Sequence, residues 1–292
     1  MSNPLHAKHY ADGACQATVT VVENVPLARD TYRVRFECPA IAQSIVPGQF
    51  LMLKLSGWDD PMLGRPLALY DTVLSDRGEP IGVDVVYLLM GKMTRRLSAF
   101  QVGQKLDVWG PLGNGFPVSQ GEGEHLVMVA GGIGQTPFMA LAREALGLGQ
   151  YGKQPRGVTK SNGKVTLCYG ARSADYFAGV EEFRHLGVDV RLSTDDGSLG
   201  HHGFVTDLLR EVLAESPQAR IVCCGPEPMM EAVAEMAAHA KAPCAVSLET
   251  PMACGIGICF SCVARVRDEA GDWDYKRTCV EGPVFNAEQI EW

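Results

Sequence analysis

Four cysteines near the end of the chain carry the clearest chemistry. Cys254, Cys259 and Cys262 follow a C-x4-C-x2-C pattern, and Cys279 comes after a short excursion. This is the plant-type spacing by which four thiolates hold a [2Fe–2S] cluster. Four thiolates also suit a tetrahedral zinc ion, although zinc ribbons usually pair two C-x2-C knuckles and only one is present here. Both readings stand on spacing alone. Gly255 and Gly257 suit a loop that brings backbone close to inorganic sulfide, because glycine adopts positive φ without steric cost. Between the third and fourth cysteines, Val263–Arg267 and Trp273–Arg277 alternate in polarity around Glu269–Asp272, which predicts a hairpin returning Cys279 to the other three.

A second group of residues suits phosphate. The apolar run Leu126–Ala130 leads into Gly131, Gly132, Ile133 and Gly134, and a helix is expected to open at Thr136–Pro137 and stop at Gly147. A glycine turn against a helix N-terminus offers unpaired N–H groups to an anion, or is simply a tight turn. Cys224, Gly225 and Pro226 form another such turn after the strand Arg220–Cys224. Two turns at one sheet edge point to a dinucleotide. Asp195-Asp196-Gly197 follows the strand Val188–Leu192 and either takes ribose hydroxyls or makes a solvated turn. Arg65 is a lone cation in the apolar stretch Gly64–Tyr70; it suits either a bidentate phosphate or a structural ion pair, while Tyr70 could stack on a flat ring. Arg172 could meet a 2′-phosphate or be solvated, which leaves NAD against NADP open. His201-His202 reads as surface loop. Neither a Ser/His/Asp arrangement nor a G-x-x-x-x-G-K-[ST] loop is present, which disfavours hydrolysis and phosphoryl transfer.

The elements that must position these residues fall into zones. Residues 1–13 read as a frayed start. From 14 to 118 the chain shows short strands: Ala17–Val22, Tyr32–Phe36, Phe50–Leu55, Gly82–Leu88 and Lys105–Trp109, with one short helix, Thr94–Phe100. That spacing predicts a small antiparallel barrel. After the polar stretch Ser119–Glu124, strands alternate with helices through residue 242, which predicts a parallel sheet with crossovers. Residues 150–162 read as a surface loop, and 243–292 as a small cluster domain. The fold class is therefore multidomain β plus α/β. The 292 residues are 46% apolar and 21% charged, enough for a sizeable core. A net charge of −8 disfavours nucleic acid as a partner. Neither a spanning apolar run nor a signal pattern is evident, so a cytoplasmic protein without membrane insertion is expected. Ten cysteines with four in one motif suit a reducing compartment better than disulfides.

Taken in order, Arg65–Tyr70, Gly91–Thr94, Gly110–Phe116, Gly131–Gly134, Thr194–Gly197, Cys224–Pro226 and the cysteine run resemble the electron-transfer subunits of NAD-linked dihydroorotate dehydrogenase. These belong to the ferredoxin-reductase-like superfamily, and the resemblance runs from about Ala14 onward. It implies a flavin barrel, a nucleotide domain and a C-terminal [2Fe–2S] domain, with FAD, the cluster and NAD as cofactors. It also implies that Arg65, Pro66, Leu67 and Ala68 carry the FAD motif and that Val86, Tyr87 and Leu88 line the same nucleotide. Thr94 would lie at its pyrophosphate, with Met93 also among the cofactor-binding positions. Gly131, Gly132, Gly134, Pro137, Asp195, Cys224, Gly225 and Pro226 would serve NAD, and Cys254, Cys259, Cys262 and Cys279 the cluster. The chain departs from the family pattern where Ala68 replaces a Ser or Thr hydroxyl, Leu88 a common arginine and Met93 a common glycine.

A nicotinamide exchanges two electrons at once and the cluster carries one, so a flavin between them is chemically required. The implied partner is an FMN-containing dihydroorotate dehydrogenase catalytic subunit, in a heterotetramer of two of each. Two rival readings are a self-sufficient NAD(P)H reductase serving a ferredoxin or oxygenase, and a non-enzymatic zinc- and nucleotide-binding module.

Overall fold

The computed structural model describes residues 11–118, 123–154, 156, 163–268 and 270–292. Six strands close an antiparallel barrel: β1 (Cys15–Ala28), β2 (Thr31–Glu37), β3 (Phe50–Leu55), β4 (Arg65–Leu74), β5 (Pro80–Leu88) and β6 (Lys105–Leu112). Their order around the barrel is β1-β2-β5-β4-β3-β6. Period-two patterning explains the closure. In β6, Leu106 and Val108 enter the barrel core while Lys105, Asp107 and Trp109 are less buried, and Leu112 packs instead with the cysteine loop. The short helices α1 (Pro39–Ala42) and α2 (Lys92–Leu97) plug the ends, and Ile41, Ile45, Met93 and Leu97 are nearly fully buried in the barrel core.

The second layer is a seven-stranded sheet. Its elements are β7 (Leu126–Gly131), α3 (Phe138–Ala145), β8 (Val165–Ala171), α4 (Val180–His185), β9 (Asp189–Thr194), β10 (His201–His202), α5 (Val205–Glu215), β11 (Arg220–Cys224), α6 (Glu227–Ala240) and β12 (Cys244–Ser247). Strand β7 is buried on both faces, as a central parallel strand should be. Val127 and Val129 point into the core shared with α5 and α6. Met128 and Ala130 enter the core shared with α3. A hairpin of β13 (Val263–Arg267) and β14 (Trp273–Arg277) forms its own two-stranded sheet, tied to the C-terminal segment by the bridge between Val266 and Ile290, and β15 (Val284–Asn286) returns antiparallel to β12.

Several expectations need correction. β12 and β15 both follow residue 242 yet complete the central sheet, so the cysteine segment 248–283 is an excursion from that sheet's edge. The Arg65–Tyr70 stretch lies in the barrel as expected, within a ten-residue strand, whereas His201–His202, read as surface loop, form an edge strand pairing with β9. Helix α3 begins at Phe138 because Gly132–Gln135 wind a 3-10 turn first. It ends as expected: Gly147 takes φ 70°, its N–H reaches Glu144 O at 3.0 Å, and Leu148 N–H reaches Arg143 O at 2.8 Å. Ala11–Gly13 form a 3-10 turn, whereas residues 1–10 lie outside the described part. The polar stretch expected to divide the domains loses residues 119–122 in the same way. In the presumed surface loop 150–162, residues 155 and 157–162 also lie outside it. Tyr151 is buried there, however, with its hydroxyl donating to Asp71 Oδ1 at 2.6 Å, and Arg156 pairs with Glu144 of α3 at 3.1 Å.

Barrel and sheet meet through named contacts. Asp71 of β4 also pairs with Arg143 of α3 at 3.3 Å. Asn114 pairs with β15 like a strand mate, donating to Val284 O at 2.7 Å and accepting from Val284 N–H at 2.9 Å. The Gly110–Phe116 signature is therefore a seam. A Cβ on Gly113 would lie 2.6 Å from Pro283 Cδ and 2.7 Å from Gly282 O, so only glycine lets the two segments approach.

Candidate functional site

A cleft of about 500 Å3 opens between the barrel and the carboxyl edge of the sheet. It lies at the switch point, where the strand order reverses between β7 and β11. Arg65, Pro66, Leu67 and Ala68 from β4, and Val86, Tyr87 and Leu88 from β5, form its barrel wall. Met93 and Thr94 of α2 lie at one end. Pro137 and Cys224 come from the sheet side. The structure thus brings together candidates that the sequence spread over 160 positions.

Arg65 is half-buried, and its Nη1 donates to Leu63 O and Gly64 O, each at 3.0 Å. No carboxylate pairs with it among the described residues, so the structural ion pair is not what holds it. Its Nε and Nη2 are left for an anion. Thr94 is nearly buried and its hydroxyl oxygen caps α2, accepting from Gly91 N–H at 3.2 Å and Met90 N–H at 3.1 Å. Cys224 is buried, and burial raises its thiol well above the ordinary range, so it stays neutral. Burial in the cleft wall also raises the carboxyl of Glu249.

Tyr70 does not join this set. A bulge in β4 lets Leu69 pair with Val85 and Asp71 with Asp84, leaving the residue between them unpaired. The Tyr70 ring is consequently buried between barrel and sheet, with its hydroxyl 3.1 Å from Glu182 Oε2. It has no face free for a flat ring. Tyr87 is similar in part: its hydroxyl donates to Asn24 Oδ1 at 2.9 Å, and its ring stacks on Tyr32.

The glycine turns sit beside the cleft, and their glycines serve close packing. A Cβ on Gly134 would lie 2.1 Å from Cys224 O, which locks the turn after β7 against the turn after β11. Gly131 is packed against Pro226 and Met229, whereas Gly132, at φ 56°, faces open space. Gly225 approaches the backbone of Gly131. Asp195 is exposed at the carboxyl end of β9, but Asp196 is engaged in its own turn, accepting from Ser198 N–H at 2.9 Å.

The four cysteines lie on the far side of the cleft wall. Among the described residues, no three His, Cys, Asp or Glu side chains converge on one point fit for a metal ion. The loop nonetheless aims an amide at a ligand sulfur, as a cluster site requires: Ile256 N–H donates to Cys254 Sγ at 3.4 Å. Cys262 and Cys279 are both buried and perturb each other's thiols, Cys262 lowered to about 6 and Cys279 raised. Ser261, whose hydroxyl is 3.2 Å from Cys259 Sγ, lowers that thiol to about 6, with Cys254 contributing. Gly255 and Gly257 have φ of 73° and 84°, as the wrapping loop requires.

One apolar core joins the two sites. Phe50, Met52 and Leu112 of the barrel pack with Cys262, Cys279 and Val280, and Met252 packs against them. Phe50 and Met252 also line the cleft. Trp109 Nε1 donates to Cys254 O at 2.9 Å, tying β6 to the cysteine loop. Phe50, Glu249 and Met252 carry no motif, and sequence reading missed them. The only hint was their position just before the first cysteine or within a barrel strand.

Comparison with known proteins places this architecture. Residues 18–116 match the oxidoreductase FAD-binding domain, and 128–235 the oxidoreductase NAD-binding domain. Residues 249–291 match the iron–sulfur cluster binding domain of dihydroorotate dehydrogenase B. The electron transfer subunit of dihydroorotate dehydrogenase B (NAD(+)) from Fusobacterium nucleatum is 34% identical, covering 93% of this chain and 97% of that protein. The corresponding Bacillus velezensis subunit is 35% identical over 94% and 98%. The chain belongs to the dihydroorotate dehydrogenase B electron-transfer-subunit family. A chain from the solved NADH-dependent reduced ferredoxin–NADP oxidoreductase is 27% identical, with a TM-score of 0.76, covering 94% of this chain and 90% of that one. The ferredoxin reductase of carbazole 1,9a-dioxygenase, at 20% identity and a TM-score of 0.63 over 79% and 67%, shares the fold. Membership in this family makes the chain a flavin- and iron–sulfur-dependent oxidoreductase component with FAD, NAD and cluster domains in that order. It removes the zinc-module reading. No helix among the described residues is long and apolar enough to cross a membrane.

Proposed function

We propose that this chain passes electrons between NAD and the FMN-containing catalytic subunit of a dihydroorotate dehydrogenase, two of each in a heterotetramer. The observation that carries this reading is the shared core: Phe50 and Met252 touch both the cofactor cleft and the packing around Cys262 and Cys279. A bound flavin supplies conversion between two-electron and one-electron transfer. The chain's own residues bind, orient and insulate. Arg65 presents Nε and Nη2 to a phosphate, and Ala68, Val86 and Leu88 give an apolar wall. Phe50 and Met252 exclude water between cleft and cluster loop. Cys254, Cys259, Cys262 and Cys279 would hold the cluster, which would supply one-electron transfer. The turns at Gly131–Gly134 and Cys224–Pro226, with Pro137 and Asp195, set the NAD side. No side chain here does acid–base work on dihydroorotate; that belongs to the partner.

The surface supports a partner near the cluster. Ile258 and Phe260 on the cysteine loop are 67% and 63% exposed, and Trp273 and Tyr275 are exposed on the hairpin. Such apolar side chains in one region mark an interaction face. The test is co-expression with a flavin-containing dihydroorotate dehydrogenase, followed by size determination, iron, sulfide and flavin analysis, and dihydroorotate-driven reduction of NAD. The expected result is a stable complex with that activity, absent from either chain alone. A solitary chain that reduces one-electron acceptors with NADH would instead establish the self-sufficient reductase.

A further inference from the structure

Arg277 ends strand β14, two residues before Cys279. Its side chain makes three contacts around the cysteine loop. Nη1 donates to Gly257 O at 2.9 Å, the guanidinium lies 5.0 Å from the centre of the Phe260 ring, and Nε pairs with Glu281 at 3.3 Å. Two of the three contacts fall on left-handed residues of the cysteine loop, Gly257 and Phe260. Gly257 has φ 84°, and its neighbour Ile256 donates its N–H to Cys254 Sγ at 3.4 Å, so Arg277 grips the loop beside a ligand sulfur. Phe260, between Cys259 and Cys262, has φ 55°, a left-handed conformation that a bulky residue rarely adopts unless its surroundings hold it. Here the guanidinium holds the ring. Glu281 in turn accepts from Arg277 N–H at 2.7 Å, fixing the backbone from which the guanidinium reaches.

We propose that Arg277 is the positioning residue of the cluster loop and the fixed cation that makes the cluster easier to reduce, with Glu281 partly offsetting its charge. This rests on the cluster reading above. The physical basis is that an added electron raises the negative charge of a thiolate-ligated centre. A nearby cation stabilises that state and a nearby anion opposes it, both strongly where water is scarce. The guanidinium is permanently charged, so its influence does not depend on taking up a proton. Lysine would keep the charge but lose the planar fork that serves Gly257, Phe260 and Glu281 together.

The experiment uses the full chain carrying its cluster: wild type, Arg277→Gln, Arg277→Lys and Glu281→Gln. Iron and sulfide are counted, and potentials are read by dye-mediated titration with EPR of the reduced protein. Arg277→Gln should move the midpoint to more negative potential and Glu281→Gln to more positive potential. Arg277→Lys should stay closer to wild type in potential while changing the EPR line shape. A purely structural role would not give shifts of opposite sign. Shifts in the same direction, or none in variants that retain iron, would overturn the proposal. If Arg277→Gln loads no iron, Glu281→Gln decides: no positive shift overturns the proposal. Wild type without iron and sulfide would refute the cluster reading itself.

Discussion

Replacing Arg65 by glutamine tests the cofactor cleft most directly. Arg65 spends Nη1 on the carbonyls of Leu63 and Gly64, at 3.0 Å each, and has no carboxylate partner among the described residues. Its Nε and Nη2 form the edge that can grip a phosphate in bidentate fashion. A hydrogen bond to a charged group contributes about 1.5–3 kcal/mol net, so losing that contact should weaken FAD binding roughly 10- to 150-fold. Arg65→Lys should fall between, since it keeps the charge but not the fork. The assay is titration of flavin-free protein with FAD, followed by fluorescence, beside the melting temperature of the flavin-free forms. If Arg65→Gln binds FAD within threefold of wild type and merely melts earlier, Arg65 is a clamp for the 63–64 loop and the phosphate argument is wrong.

Other consequences can be checked on the same preparation. Gly134→Ala sets a Cβ against backbone atoms of Cys224 that cannot yield, so it should destabilise by about 1–3 kcal/mol in denaturant unfolding and weaken NADH oxidation more than FAD retention. Tyr70→Phe removes the bond to Glu182, costing about 1 kcal/mol of stability, and should leave FAD affinity unchanged. Burial, aided by Lys164, lowers the pKa of His125 from its ordinary 6.5, so the unfolded chain takes up a proton more readily than the folded one. Stability should therefore fall as the pH drops through and below that value, and in urea titrations from pH 7 to 5 His125→Gln should lose less than wild type.

What the order of residues determined by itself was local and chemical. The cysteine spacing, the apolar run into Gly131–Gly134 and the β11–α6 turn each encode their geometry within a few residues, because periodicity and glycine freedom act at short range. Even the β13–β14 hairpin was legible, since alternation and turn residues specify it without outside help. Tertiary structure decided what depends on approach from a distance. The unpaired residue in β4 turned Tyr70 away from the cleft, a consequence of how β4 pairs with β5. β12 and β15 joined the central sheet because two short strands become stable only beside a buried neighbour. Phe50 and Met252, with no motif between them, became the wall shared by cleft and cluster loop. Packing brings together residues 202 positions apart in the chain, and no spacing rule records that contact.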